Sequence, residues 1–226
     1  MRYRPACHDW SVRFFTLLAA AAALAAPAQA APSEPLLFRG SLSVIDSATR
    51  ARMTGSSWHA GCPVAIRDLR LLRLDHWGFD GTVHRGRLVV HRRVAHPVLH
   101  VFRTLFYARL PIRRMRLIDA YGASDDRSMD ANNTSAFNCR FVAGTTRWSM
   151  HAYGKAIDIN PVQNPYVSGN HVSPDAGERY VDRSLDAKGM IHAGDRVVRA
   201  FAAEGWGWGG SWVSPKDYQH FSANGG

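Results

Sequence analysis

The chain has 226 residues, enough for one domain with a sizeable core, and it carries a formal net charge of +10. No block of basic residues is interleaved with aromatic residues, so the sequence argues against a nucleic-acid-binding protein. Diffuse positive charge of this size favours solubility, or attraction to an anionic envelope polymer or an anionic membrane surface.

The first 30 residues (1–30) are predicted to be a secretory signal peptide. Arginines at the start are followed by an apolar run over residues 16–28, which ends in the small-x-small sequence Ala28-Gln29-Ala30. The run is too short to span a bilayer comfortably, although an uncleaved N-terminal anchor stays an alternative. The sequence has no second long apolar run, so we expect no transmembrane segment after processing and a periplasmic or secreted protein.

Two cysteines remain after the predicted signal peptide, which contains Cys7. An even number of cysteines in an oxidising compartment indicates one disulfide, here between Cys62 and Cys139. Two reduced, buried thiols are the alternative. The bridge would close a long loop, and the chain-entropy account predicts that it stabilises the fold by about 4 kcal/mol.

A linker or extension is predicted over residues 31–59, followed by one domain over residues 60–226. Residues 69–81 (LRLLRLDHWGFDG) indicate a strand that runs into a turn at its final Asp-Gly pair. Residues 87–94 (RLVVHRRV) then indicate the return strand. The domain is therefore expected to begin with a β-hairpin.

Helical and irregular segments follow the hairpin. Apolar residues recur at helical spacing over residues 96–110, and a further strand is predicted over residues 113–121. Residues 122–148 are predicted to form a long polar loop, and residues 195–205 a helix that starts at an Asp N-cap and stops at a Gly. Strands and helices without regular βαβ alternation predict an α+β fold with an antiparallel sheet.

The segment SMHAYGKAIDIN, residues 149–160, places a carboxylate inside a run typical of a buried strand. Asp158 lies between Ile157 and Ile159, so the period of two puts the isoleucines on the opposite face from it. A buried carboxylate without a partner is strongly destabilising, so Asp158 needs a cation or strong donors. His151 lies close by in the chain, and histidine with a carboxylate is half of a zinc site.

The segment DYQHF near the C-terminus offers further groups, Asp217 and His220. A catalytic zinc site usually has three protein ligands and an open position. One residue of this pair could complete the ligand set, while the other could act as the base.

Together, the strings SxHxxGxAxD and DxxH resemble the M15 family of zinc D,D-peptidases. The resemblance is specific over residues 149–160 and 206–221 and weaker over residues 60–222. It implies a single α+β domain with a central antiparallel sheet flanked by helices and the zinc site on that sheet, as in D,D-peptidase and hedgehog-like folds. Residue by residue, it implies that Zn²⁺ is held by three ligands and that a carboxylate acts as the base. The ligands are His151, Asp158 and His220, and the base is Asp217.

One family element departs from the pattern. The family uses an arginine in a YRS-like stretch to bind the developing oxyanion, and Gly122 stands at that place here. Arg127 and Arg140 are candidates to replace it. We favour Arg140 as the catalytic arginine, because a disulfide at the neighbouring Cys139 could anchor its loop.

Three residues are predicted on the substrate side of the site. Ser149 would orient a ligand or its loop, with its hydroxyl next to the metal ligands. Trp206 and Trp208, in the segment GWGWGG, could wall the pocket, with core packing as the alternative. A second group of histidines has no recognisable ligand pattern and is expected on the surface of the sheet and helix. Its members are His76, His84, His91, His96 and His100.

The predicted function is an exported zinc peptidase acting on peptidoglycan stem peptides, most simply a D-alanyl-D-alanine carboxypeptidase. An L-alanyl-D-glutamate endopeptidase on the same scaffold is an alternative within enzymes. A catalytically silent wall-binding domain and a zinc-free envelope scaffold are alternatives of another class. We expect a monomer whose partner is a peptidoglycan peptide, with no nucleic acid.

Overall fold

The structure, a computed structural model, describes residues 1–3 and 36–225. Apart from its first three residues, the predicted signal peptide lies outside the described residues, as do Cys7 and the linker up to residue 35. One unit of the chain extends from Leu37 to Gly226, and residues 40–53 of the predicted extension form a strand and a helix within it.

The elements of this unit are short, with the exception of one hairpin and one helix. The strands are β1 (Gly40–Val44), β2 (Leu69–Trp77), β3 (Val83–His91), β4 (Arg114–Met115), β5 (Asn133–Thr134), β6 (Ala156–Asp158), β7 (Tyr166–Ser168), β8 (His171–Ser173), β9 (Gly207–Trp208), β10 (Lys216–Asp217) and β11 (His220–Ser222). The α-helices are α1 (Ser47–Met53), α2 (Ala95–Tyr107), α3 (Asp125–Asp130) and α4 (Arg196–Ala203).

The predicted hairpin is confirmed as β2 and β3, and β1 pairs with the other edge of β2 in an antiparallel sheet of order β1-β2-β3. The return strand starts earlier than predicted, at Val83. Alternating side chains of β2 face opposite ways, with Leu72 and Leu74 in the main core and Leu69 and Leu71 in a second one. The sheet is therefore covered on both faces.

Both predicted helices are confirmed. The apolar stripe of α2 is buried against β2, with Val98, Phe102 and Leu105 at most 1% exposed. In α4 the Asp195 side chain caps the first turn by accepting from the Val198 N–H at 2.9 Å. Both helices contribute to the same core.

The prediction of a single central sheet is wrong, although the α+β class is correct. Besides β1-β2-β3, two further antiparallel sheets have the orders β6-β11-β9 and β10-β7-β8, and β4 and β5 form a parallel pair. Strands of two or three residues, separated by long loops, cannot extend one continuous ladder. The strand predicted over residues 113–121 is only β4 followed by a 3-10 turn, and the loop over residues 122–148 contains α3 and β5.

The main core joins the first sheet to the sheet β6-β11-β9. Ile157, Ile159 and Phe221 are fully buried in the same cluster as Leu72 and Phe102. One face of this second sheet is therefore anchored in the main core, and its opposite face is directed away from that core. Within the described residues, no helix combines the length and hydropathy needed to cross a membrane.

The predicted disulfide between Cys62 and Cys139 is confirmed. Its Cα atoms are 5.9 Å apart across a sequence separation of 77. The Cys139 N–H also donates to the Ser57 carbonyl at 3.0 Å. The bridge therefore ties the segment that precedes His151 to the loop that follows α1.

Candidate metal centre

Two of the predicted ligands lie directly opposite each other on antiparallel strands. The register of β6 and β11 pairs Asp158 with His220, and Ile157 with Phe221. Opposite residues of an antiparallel pair share a face of the sheet, so Asp158 and His220 project together while the apolar pair enters the core. The His220 Nδ1 lies 3.0 Å from the Asp158 Oδ1.

The third predicted ligand comes from the 3-10 turn Met150–Tyr153 just before β6. Ser149 caps this turn, with its Oγ accepting from the His151 N–H at 3.3 Å. Gly154 ends the turn with φ +62°, and a Cβ there would lie 2.7 Å from the backbone nitrogen of His91. The turn is thus held tightly against the end of β3.

The orientation of the His151 ring is set by one hydrogen bond. Its Nδ1 lies 2.6 Å from the Ala136 carbonyl, which can only accept, so Nδ1 carries the proton and Nε2 is free. Nε2 lies 3.1 Å from the Asp158 Oδ2 and 3.3 Å from the His220 Nδ1. A backbone carbonyl behind a histidine is the usual support of a metal ligand.

The three donors fit a tetrahedral ion. Their ligand atoms lie within 4.8 Å of one another, and all three side chains are buried. Bonds of about 2.0–2.2 Å to zinc place two ligands of a tetrahedron about 3.3–3.6 Å apart. The observed contacts of 3.0–3.3 Å lie at or just below the lower end of that range. His151, Asp158 and His220 could therefore hold Zn²⁺ by their chemistry and their spacing.

A second set of possible metal donors does not qualify. His59 lies near Cys62 and Cys139, but the two sulfur atoms are joined to each other. A thiolate, not a disulfide sulfur, is the metal ligand.

The charges of the three side chains are interdependent. Burial opposes ionisation of Asp158, yet the two histidines bring the pKa of this carboxyl well below its ordinary value. Burial lowers the pKa of His151, but the neighbouring Asp158 carboxylate outweighs it and the pKa is raised. The pocket favours a carboxylate with positive charge beside it, which is what a cation would provide.

Asp217 lies in β10, three residues before His220. The residue as a whole is partly exposed, but its Oδ1 is buried and has no hydrogen-bond partner among the described residues. Burial raises the pKa of Asp217 to about 7, with the negative charge of Asp158 adding to the effect and His220 opposing it. A carboxyl group of this kind can accept and release a proton near neutral pH.

Gly209, in the segment GWGWGG, packs closely against the backbone of Asp217. A Cβ on Gly209 would lie 2.6 Å from the Asp217 carbonyl oxygen and 3.3 Å from the His220 Cβ. Only a residue without a side chain allows this approach. The segment therefore positions the Asp217–His220 turn through its backbone.

Arg140 lies on a segment that runs beside the His151 turn. Its carbonyl accepts from the Ser149 N–H at 3.1 Å, and the nearby Asn138 N–H donates to the His151 carbonyl at 3.2 Å. The Arg140 charge opposes protonation of His151, as expected of a neighbour. Its Nε is buried without a hydrogen-bond partner among the described residues. Arg127, the other candidate, is exposed on α3.

Sequence analysis missed Asp125, which pairs with this arginine. The Arg140 Nη2 lies 2.6 Å from the Asp125 Oδ2. Asp125 is in the first turn of α3, after the N-cap Ser124, whose side chain accepts from the Arg127 N–H. The only signal in the sequence was an N-cap pattern, which says nothing about a partner 15 residues away.

The tryptophans are distributed differently from the prediction. Trp206 and Trp208 are 5% and 7% exposed and belong to the main core, where Trp206 packs on Phe201 and Trp208 on Phe221. Both indoles therefore pack in the core, which was the alternative interpretation. Trp212 is partly exposed, and its ring centroid lies 5.5 Å from that of His220.

A family model described as D-alanyl-D-alanine carboxypeptidase, of the M15 peptidases, matches residues 143–223. The resemblance to M15 peptidases is confirmed. The M15 match covers the three candidate ligands and Asp217 but begins after Arg140 and Asp125. No curated protein and no solved structure matches the chain.

The M15 match supports a peptidase that acts on peptidoglycan. A cell-wall substrate and a disulfide both fit an extracellular location.

Proposed function

We propose that this protein is an exported, zinc-dependent peptidase that hydrolyses peptidoglycan stem peptides as a D-alanyl-D-alanine carboxypeptidase. The observation that supports it most is the buried His-Asp-His set beside the unpaired Oδ1 of Asp217. A purely structural zinc site is usually closed by four protein ligands. Here three candidate ligands adjoin a carboxyl group whose side-chain oxygens have no hydrogen-bond partner in the described structure.

In the proposed reaction His151, Asp158 and His220 hold the metal. When bound, zinc polarises a carbonyl and lowers the pKa of water to about 7. The Asp217 carboxylate accepts a proton from water as its oxygen attacks the peptide carbonyl carbon. As the C–N bond breaks, Asp217 returns that proton to the leaving amine, so the group ends the cycle ionised as it began.

Arg140 is assigned to the carbonyl oxygen of the scissile bond. Negative charge develops on that oxygen during attack, and a preorganised donor stabilises it more than it stabilises the ground state. The buried Nε–H of Arg140 lacks another partner in the described chain and can donate to it. Asp125 acts as a positioning residue, because its carboxylate restrains the guanidinium.

Trp212 is assigned to the wall of the substrate cleft. Its indole lies against His220 and remains partly exposed, so one face can contact a bound peptide. Its Nε1–H donates to the Gly225 carbonyl at 2.8 Å, which restrains the ring. In this proposal Ser149 supports the His151 turn. It does not contact the substrate and affects it only by orienting His151.

Incubation of the zinc-loaded protein with a defined muropeptide pentapeptide tests the proposal by product mass. Loss of one terminal alanine, abolished by a chelator and restored by Zn²⁺, is the expected result. Cleavage between L-alanine and D-glutamate would establish the endopeptidase alternative instead. Full zinc occupancy with no cleaved product would favour a silent wall-binding domain.

A further inference from the structure

A cationic pocket is separate from the candidate metal centre and shares no residue with it. It is formed where β2 begins, β3 ends and α2 starts, and it has a volume of about 540 Å³. Its lining residues are Leu42, Arg70, Arg92, Arg93 and His96. None of them belongs to the proposed catalytic machinery.

The positive charge of this pocket is largely uncompensated. Of its arginines, only Arg92 forms an ion pair among the described residues, with Asp68 at 3.0 Å. Other arginines on or beside the same sheet do have acidic partners: Arg39 and Arg85 share Asp75, and Arg73 pairs with Asp46. Like charges that remain close together in a concavity raise the local positive potential.

One of these arginines is held in place. The Arg70 Nη1 donates to the carbonyls of Arg67 and Leu69 at 2.9 and 2.8 Å, which leaves the rest of its guanidinium for other acceptors. The neighbouring end of α2 adds to the field, because its first turn contains no acidic residue and its N-cap, Val94, offers no side-chain acceptor.

We propose that this pocket binds phosphate groups of an anionic polyol-phosphate polymer of the envelope. Guanidinium groups match the geometry of phosphate oxygens in paired hydrogen bonds. Among the described residues that line the pocket there is no Phe, Tyr or Trp, the large rings on which the bases of a single strand usually stack. Its only apolar lining residue, Leu42, is partly buried, so no large exposed apolar side chain at the pocket could insert into a lipid surface. A polymer bound here would hold the protein in the envelope without occupying the candidate active site.

Calorimetric titration of the purified full chain with poly(glycerol phosphate) tests this assignment. The triple variant Arg70→Gln, Arg92→Gln and Arg93→Gln is expected to bind at least about tenfold more weakly than the parent. The control triple Arg52→Gln, Arg87→Gln and Arg113→Gln removes the same charge from exposed positions outside the pocket. It should weaken binding by less than about threefold. Circular dichroism and urea unfolding of each variant check that its fold is intact.

A second pocket variant keeps the test valid even if the triple variant does not fold. Arg93 and His96 are exposed and form no side-chain ion pair or hydrogen bond in the described structure, so Arg93→Gln with His96→Gln should fold normally and still weaken binding. Equal losses in the pocket and control triples would mean diffuse attraction and would overturn the proposal. Unchanged binding in both pocket variants would do the same. Tighter binding to anionic vesicles, or to single-stranded DNA of equal charge, would overturn the polyol-phosphate assignment.

Discussion

At the scale of single residues, the buried Asp158 and the partly exposed Asp217 are two carboxyl groups with opposite assignments. Asp158 is surrounded by two histidines, which favour its charged form. Asp217 has a buried oxygen without a partner among the residues that the structure describes, and burial raises its pKa to about 7. Two carboxyl groups whose environments push their pKa values apart are typical of a ligand or nucleophile beside an acid or base.

The first prediction separates these two roles by the same isosteric change. Asp217→Asn should keep zinc and the fold but lose about 10²- to 10⁴-fold in rate, the usual contribution of a positioned general base. Asp158→Asn should instead lose zinc, because a neutral amide oxygen is a weaker donor than a carboxylate. Elemental analysis and muropeptide kinetics on both variants provide the measurement. A parent-like rate in Asp217→Asn would remove Asp217 from the mechanism.

The rate should also depend on pH through the same group. A general base must be ionised, so activity is expected to fall as pH decreases through the pKa of Asp217. That pKa is about 7 without metal, and a bound dication would stabilise the carboxylate and lower it. The acid limb of the rate profile is therefore expected at or below neutrality, and Asp217→Asn should lack it.

The second prediction concerns the ion pair of Asp125 and Arg140. Arg140→Gln should reduce the rate by about 10²- to 10³-fold, as loss of an oxyanion donor does. Asp125→Asn should lower kcat by about tenfold with little change in KM or zinc content, because the guanidinium is no longer restrained. Asp125→Glu should recover part of the loss. If the double variant is as slow as Arg140→Gln alone, Asp125 acts through Arg140, whereas additive losses would show independent roles.

At the scale of elements, the pairing of β6 with β11 creates the candidate centre. The register puts Asp158 beside His220 and Ile157 beside Phe221. A slip of one residue would exchange the faces, moving a charged group into the core. Burial of the apolar pair therefore specifies the geometry of the candidate metal site.

The third prediction tests the contact between Gly209 and the strand that carries Asp217. In Gly209→Ala the new Cβ would meet a backbone oxygen at 2.6 Å, which no side-chain rotation relieves. We expect a loss of roughly 1–3 kcal/mol in the free energy of unfolding, as for an overpacked site. The rate should also fall by about tenfold or more, because Asp217 is displaced.

A glycine in the same segment provides the control for this substitution. Gly205→Ala adds a Cβ that meets no described residue within 4 Å, although its φ of +77° is unfavourable for alanine. It should lower stability by about 1–2 kcal/mol and leave the rate of the folded enzyme unchanged. An identical rate for Gly209→Ala and Gly205→Ala would show that the contact does not position Asp217.

At the scale of the whole molecule, the disulfide links distant parts of the chain near the site. It joins Cys62 to Cys139, whose chain neighbour is Arg140, across a sequence separation of 77. The second core, which contains Cys139, Phe137 and Met53, lies on the face of the first sheet away from α2. The segment before His151 is thus fixed both by a covalent bond and by packing.

The fourth prediction is the contribution of that bridge. Replacing both cysteines by alanine should lower the free energy of unfolding by about 4 kcal/mol, mainly because the unfolded chain regains the entropy of a long loop. Urea unfolding of parent and variant gives the difference, and intact mass before and after reduction shows whether the parent holds the bond. Equal midpoints in urea would contradict a stabilising disulfide.

Much of the site could be predicted from the sequence, because it depends on short motifs and local periodicity. The alternation around Asp158 and the His151 turn are encoded within a dozen residues, and the hairpin, α2 and α4 follow from local patterns. The disulfide was predictable because only two of the three cysteines lie after the predicted signal peptide, which leaves one possible pairing.

Only the tertiary structure decided which distant residues meet. It paired Asp158 with His220, placed Asp125 on Arg140, and buried Trp206 and Trp208 while leaving Trp212 beside His220. It also replaced the single sheet by several small ones. These outcomes depend on how elements pack, since the same local pattern suits an indole in a core or at a cleft. Local periodicity specifies which face a side chain takes, whereas the packing of the whole chain determines what lies opposite.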